Sequence, residues 1–371
     1  MLVEHLVRTY GDLNDPRLAA LDEALAIELR SMGLHMHVTV QFTADEARDC
    51  TVGVYAASNP TDNDPDVKSA ITAGHLVFPI FDSLSGRYED QVPEELLPIN
   101  GIDWSRGPAH AARAVLEEIG VSDHHRRVFV SHRRSDGALA AEQAHDALSH
   151  LRFDPFIDRY SIRPSDDHQA RIAEALEEFT FLLLLETPDA SESTYVFYEV
   201  DYAMSRAMGI YIITWPGADP TPGTTSLRRR TLLPEHLEWN GSNSVIKSSI
   251  LEEITHEIER EHASALARRR RALVANVQDV LHESGRAFLT LPRWRVAASD
   301  GTFIGVAPRL PAPEDLHALA KDAAETGIEV KRQVLVHAAR RFREARREML
   351  EWTIGGRPLE MLAENTIGAT L

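Results

Sequence analysis

Short apolar runs of strand length alternate with amphipathic stretches of helix length through the middle third of the chain. Val128-Phe129-Val130 is closed by the polar Ser131-His132 and reads as a buried parallel strand. Ser135-Asp136-Gly137 reads as a turn, and residues 138–151 as an Ala-rich helix. A second strand is expected over 153–157, followed by a loop over 158–165. Asp166 and Asp167 open the next helix, because helix N-termini favour acids. Residues 180–186 make a third strand that is apolar almost throughout, 187–190 a turn, and 193–208 a third helix. A fourth strand over 210–214 is closed by Trp215-Pro216-Gly217. Leu237-Glu238-Trp239 and a helix from Val245 make a weaker fifth unit. Alternation of this kind implies a parallel sheet covered on both faces, with ligands bound beyond the carboxyl ends of the strands. Residues 131–134, 158–165 and the start of the third helix then surround one crevice.

The flanking thirds are less regular. Strand-like 51–60, a helical stretch from Asp66 to Ile71 and strand-like 76–81 follow one another in the N-terminal third. The same order runs through 181–189, 199–204 and 210–214. Each series continues to a Leu-Pro and a Trp: Leu97-Pro98 with Trp104, and Leu233-Pro234 with Trp239. Two readings stand side by side, an internal duplication and an unrelated α/β unit with ordinary strand–helix punctuation. If duplicated, Asp66 corresponds to Glu199. In the C-terminal third, residues 248–283 read as one long helix or two. Residues 289–297 and 303–306, joined by Ser299-Asp300-Gly301, read as a β-hairpin. Further helices are expected around 313–326 and 331–352.

A length of 371 residues suggests two or three domains, taken as 1–125, 126–245 and 246–371. The net charge of −18 is uneven: −13, −6 and +1 in those three parts. The acidic N-terminal third argues against nucleic acid lying across it. The basic runs 268–271 and 340–347 alternate with acidic and apolar residues, and a solvated helix face is favoured over a nucleic-acid site. A single cysteine, Cys50, excludes a disulfide framework within one chain. No apolar run approaches the ~20 residues that span a bilayer, and the first twelve residues lack the pattern of a signal peptide. A cytoplasmic, membrane-free protein is expected. The histidines of the C-terminal third lack metal-ligand spacing, so no metal is expected.

Three stretches carry a family resemblance. VFVSHRRSDG (128–137) is similar to the first box of bacterial Toll/interleukin-1 receptor (TIR) domains. RFDPFIDRYSIRPSDD (152–167) resembles their second strand and the loop after it. LLLLETPDASESTYVFYEVDYAM (182–204) is the most specific: Ser193, Tyr195 and Glu199 fall where TIR domains carry a Ser, a Trp and a Glu four residues on. Tyr replaces Trp here, and Arg163-Pro164 stands where many relatives have Pro-Gly. The resemblance implies a flavodoxin-like α/β fold with a central parallel five-stranded sheet. A degenerate TIR-like α/β domain would precede it under the duplication reading, binding or assembling rather than cleaving. A mainly helical α+β domain for assembly or partner binding would follow.

The resemblance further implies cleavage of the nicotinamide–ribose bond of NAD+, with NAD+ as substrate and no cofactor. The pyridinium leaves as neutral nicotinamide and needs no proton, so one carboxylate suffices where ordinary glycosidases need two. Glu199 is that carboxylate, stabilising an oxocarbenium-like transition state by charge; seen alone, it would read as a solvated helix glutamate. Ser131, His132, Arg133, Arg134, Asp158, Ile162 and Tyr195 are the candidate substrate-binding residues. Arg133 and Arg134 suit pyrophosphate or adenine, with surface charge as the plain alternative. His132 is a ring-stacking candidate, Asp158 a loop-fixing or plain turn residue, and Tyr195 mainly packing. By the same resemblance the chain is an antiphage effector activated by self-association and a separate sensor or activator. The rival readings are a non-catalytic TIR scaffold and a TIR enzyme that makes a signal nucleotide.

Overall fold

The computed structural model describes all residues except 1–2, 46–49, 51, 58–63, 123–124, 158–174, 241–242 and 341. The loop expected over 158–165, with its candidates Asp158 and Ile162, and the helix opening at Asp166-Asp167 lie outside the described residues. Two compact units form: Met1–Asp123 with Thr290–Trp294, and His124–Leu289 with Arg295–Leu371. The parts 126–245 and 246–371 lie together in the second.

In the first unit, β1 (Val3–Gly11), α1 (Pro16–Ser31), β2 (Val38–Thr43), β3 (Val52–Ala56), α2 (Pro65–Thr72), β4 (Leu76–Phe81), β5 (Ile102–Asp103) and α3 (Pro108–Glu118) alternate. The helices begin where the sequence places capping signals. Asp15 accepts from the Arg17 N–H, Asp64 from the Asp66 and Val67 N–H groups, and all three helices start on proline. The sheet has the order β2-β1-β3-β4-β5 and its pairs are parallel.

The second unit starts with β6 (Arg127–His132), α4 (Arg134–Ser149), β7 (Asp154–Ile157), β8 (Phe181–Glu186), α5 (Thr194–Ser205), β9 (Gly209–Thr214) and β10 (Arg229–Thr231). Its sheet runs β7-β6-β8-β9-β10, all parallel. By order of appearance this is second, first, third, fourth, fifth, the same order as in the first unit. β8 is central and every residue of it is buried, which is why it reads as a continuous apolar run. One face packs Val128, Leu183 and Ile213 against α4 and the long helix described below. The other packs Phe129, Leu182 and Leu184 against Val196, Val200 and Ala203 of α5.

Several expectations are corrected here. The fifth strand is β10, not 237–239; that segment forms β11 (Leu237–Asn240), which pairs with β12 (Asn243–Ile246) as a separate antiparallel hairpin. β10 reads Arg-Arg-Thr and carries no apolar signal. Its arginines are held by carboxylates instead: Arg229 by Glu186, Arg230 by Glu253 and Glu257. Ser135-Asp136-Gly137 is not a turn but the first turn of α4. Asp66 is the second residue of α2, whereas Glu199 is the sixth of α5. Counted from the two N-caps, buried Ala70 occupies the place of Glu199. It packs with the rings of Tyr10 and Tyr55 in an apolar cluster.

The C-terminal part opens with α6 (Ser248–Glu283), a single helix of 36 residues. β13 (Phe288–Leu291), β14 (Arg295–Ala298), β15 (Thr302–Ala307), α7 (Pro313–Glu325), β16 (Arg332–His337), α8 (Glu344–Ile354) and β17 (Leu359–Ala363) follow. The hairpin is β14–β15, and β15, β16 and β17 are parallel. The helix expected over 331–352 is therefore a strand followed by a shorter helix. Val-Leu-Val-His is buried between two strands, and pairing on both edges overrides the helical reading.

Candidate active site

Glu199 has a position on α5 that residues of its kind rarely hold. Val196, Glu199, Val200 and Ala203 form the buried stripe of the helix at spacing i, i+3, i+4, i+7. A carboxylate thus occupies a core position, with the residue only 6% exposed. The solvated-helix reading of Glu199 does not hold. Burial of a carboxylate is costly unless it is hydrogen-bonded. Ser131, at the carboxyl end of β6 and 1% exposed, donates from Oγ to Glu199 Oε2 at 2.5 Å. Ser193 sets the start of the helix, its Oγ accepting from the Val196 N–H at 3.3 Å.

A cavity of about 570 Å³ opens over this pair, lined by Val130, His132–Ser135, Glu192–Tyr195 and Glu199. It lies at the carboxyl end of β6 and the start of α5, as the parallel topology requires. Its volume falls in the range of small-ligand sites. Of the expected site residues, His132, Arg133, Arg134, Tyr195 and Glu199 line it together. Ser131 lies behind Glu199 and holds it. Arg133 has its guanidinium engaged with the Asp189 carbonyl and with Glu192, so it fixes the rim. Tyr195 is half-exposed on that rim rather than packed in the core.

Two residues were missed in the sequence. Asp136 accepts from Thr187 Oγ1 at 2.9 Å and from the Asp189 N–H at 3.0 Å, tying the loop after β8 to the first turn of α4. An acid in a helix's first turn was the available signal. Glu186 ends β8 fully buried and accepts from Thr214 Oγ1 (2.8 Å), the Thr221 N–H (2.6 Å) and Arg229 Nη1 (2.8 Å). It lies outside the cavity lining and anchors the segment after β9.

Among the described residues no group of His, Cys, Asp and Glu could hold a metal ion. No described helix is long and apolar enough to cross a membrane. No curated protein matches the chain. Residues 128–233 match the family model described as TIR domain. That match starts on the strand bearing Ser131 and runs past α5 and β10, so it encloses the Ser131–Glu199 pair and the cavity above it. This part of the chain is a TIR domain.

Proposed function

We propose that this TIR domain cleaves the bond between nicotinamide and ribose in NAD+. The observation that carries the reading is the buried Glu199 carboxylate, held by Ser131 on the wall of an open cavity. In the reaction the ribose C1′–nitrogen bond breaks and its electron pair stays on the ring nitrogen. Neutral nicotinamide leaves, and positive charge develops on the ribose. A carboxylate fixed beforehand in a site of low dielectric stabilises that charge without reorganisation. Water adds to C1′ and loses a proton, giving ADP-ribose; attack by the adenine ring gives a cyclised product instead. Arg134, His132 and Tyr195 surround the same space and are suited to the pyrophosphate and the rings.

The proposal extends to an effector of bacterial antiphage defence that works when subunits assemble. The test is NAD+ consumption by the full chain beside Glu199→Ala, at high protein concentration with a crowding agent. Loss of activity in the variant alone supports the reading, and chromatography of the product separates hydrolysis from cyclisation. Equal activity in both removes Glu199 from the mechanism. The scaffold reading rests on Tyr195, Phe197 and Met204, apolar residues of α5 that are nearly half-exposed. It predicts no nicotinamide release under any condition, including in cells challenged with phage.

A further inference from the structure

Two carboxylates line the cavity among the described residues, and the proposed cleavage uses one of them. Glu199 lies deep, buried against Ser131. Glu192 lies on the rim, at the end of the short turn Ala190–Glu192 that leads into α5, and its side chain is 74% exposed. An exposed glutamate is ordinarily free to swing, but this one is tethered. Its Oε2 accepts from Arg133 Nη1 at 3.2 Å, and the same nitrogen donates to the Asp189 carbonyl. The turn is itself fixed from α4, where Asp136 accepts from Thr187 Oγ1 at 2.9 Å and from the Asp189 N–H at 3.0 Å. Glu192 Oε1 accepts from no described residue. A carboxylate can accept several hydrogen bonds, so the Arg133 tether leaves Glu192 with unused acceptor capacity at the cavity wall.

NAD+ carries two ribose rings joined through a pyrophosphate. Cleavage places the nicotinamide ribose at Glu199. Glu192 precedes the N-cap of α5, and Glu199 is the sixth residue of that helix, a rise of roughly 9 Å along the axis. The second ribose, beyond the pyrophosphate, then falls at the rim. With both hydroxyls free it offers two donors, which suit a carboxylate. With a 2′-phosphate it offers a dianion, which a carboxylate repels and an arginine would take. The arginine nearest to that place is Arg133, and Glu192 and the Asp189 carbonyl engage it.

We propose that Glu192 is a specificity-determining residue, which accepts from the free 2′- and 3′-hydroxyls of the adenosine ribose and restricts the site to NAD+ over its 2′-phosphorylated form. The inference rests on the cleavage reading for the placement of the nicotinamide ribose at Glu199, but recognition at the rim does not require the bond to break. Glu192→Gln removes the repelling charge and at the same time loosens the hold on Arg133, whose fork matches phosphate oxygens in charge and geometry. Both effects favour the 2′-phosphate, so the substitution acts on the choice between the two dinucleotides.

The experiment has two arms, each on the full chain and on Glu192→Gln, with thermal unfolding recorded for both proteins. The first is nicotinamide release from NAD+ and from NADP+, at high protein concentration with a crowding agent. Wild type is expected to favour NAD+ by about tenfold or more in kcat/KM. The variant should narrow that ratio several-fold, mainly through a lower KM for NADP+. A merely structural role for the Arg133 tether would weaken the use of both dinucleotides alike and leave their ratio where it was. The second arm is calorimetric titration with ADP-ribose and with its 2′-phosphate, which reads the rim without cleavage. Wild type should bind ADP-ribose more tightly by about tenfold or more, and the variant by a smaller ratio. Binding ratios of this kind without nicotinamide release from either dinucleotide would sink the cleavage reading and leave the assignment of Glu192 standing. Equal use or equal binding of the two forms by wild type, an unchanged ratio in Glu192→Gln, or no binding of ADP-ribose at millimolar concentrations overturns the proposal.

Discussion

Replacing Ser131 by alanine removes one hydroxyl and nothing else from the site, so its consequence can be worked from the geometry. Ser131 and Glu199 are both buried and separated by 2.5 Å. A hydrogen bond to a charged group contributes about 1.5–3 kcal/mol. The missing oxygen leaves a space too enclosed for bulk water to restore the donor, because Ser131 is 1% exposed. If the bond sets the carboxylate's orientation towards the developing ribose charge, that energy is lost in the transition state. It converts to a fall of about ten- to a hundredfold in kcat. KM for NAD+ should change little, since Ser131 is absent from the cavity lining. The assay is nicotinamide release against NAD+ concentration, for wild type, Ser131→Ala and Glu199→Gln, with thermal unfolding recorded for each. An unchanged kcat in a well-folded Ser131→Ala, beside an inactive Glu199→Gln, would refute the reasoning: the carboxylate would then be held by other groups. A rise in KM alone, with kcat unchanged, would assign Ser131 to substrate binding instead.

Three further outcomes follow from the packing. Glu186→Ala strips three donors and leaves Arg229 without its buried partner, which costs about 3–5 kcal/mol. Thermal unfolding followed by circular dichroism should show a Tm lowered by on the order of 10 °C, and an unchanged Tm would show the network to be dispensable. Gly209→Ala would put a Cβ 2.5 Å from the Ala265 Cβ and 2.6 Å from Phe181 Cδ2. Overpacking of this kind costs about 1–3 kcal/mol, measurable as a lower midpoint in urea. In the first unit, burial, aided by the charge of Arg293, lowers the His5 pKa from 6.5 to about 4. Between those values the unfolded chain holds a proton that the folded chain does not. Stability of that unit should therefore fall as pH drops from about 6.5 towards 4, by at most about 3 kcal/mol. His5→Gln should flatten that part of the profile, and an identical pH dependence in wild type and variant would exclude His5 as the cause.

The parallel sheet of the TIR domain was legible because its central strands are buried on both faces. Burial on both sides leaves a run such as Phe181–Glu186 with no alternation to confuse. β10 was illegible for the opposite reason. Three edge residues, Arg229–Thr231, are fixed by carboxylates distant in sequence, and no local pattern encodes that. β16 was misread because its length and apolar content suit a helix equally well, and only pairing with β15 and β17 decides.

The sequence by itself pointed to a TIR domain over 126–245, because the order of its boxes and the spacing of Ser193, Tyr195 and Glu199 are local properties. It also marked Glu199 by its place in that spacing; that the residue sits on the buried stripe of α5 appears only in the structure. Tertiary structure decided the rest. It brought Ser131 from 68 residues away onto Glu199, committed Arg133 to the rim and filled the corresponding place in the first unit with Ala70 and Tyr10. It also set Arg127 and Arg343 on Glu178. Hydrogen bonds and charge pairs across a fold depend on distances that chain order does not contain, so composition and periodicity could not show these pairs.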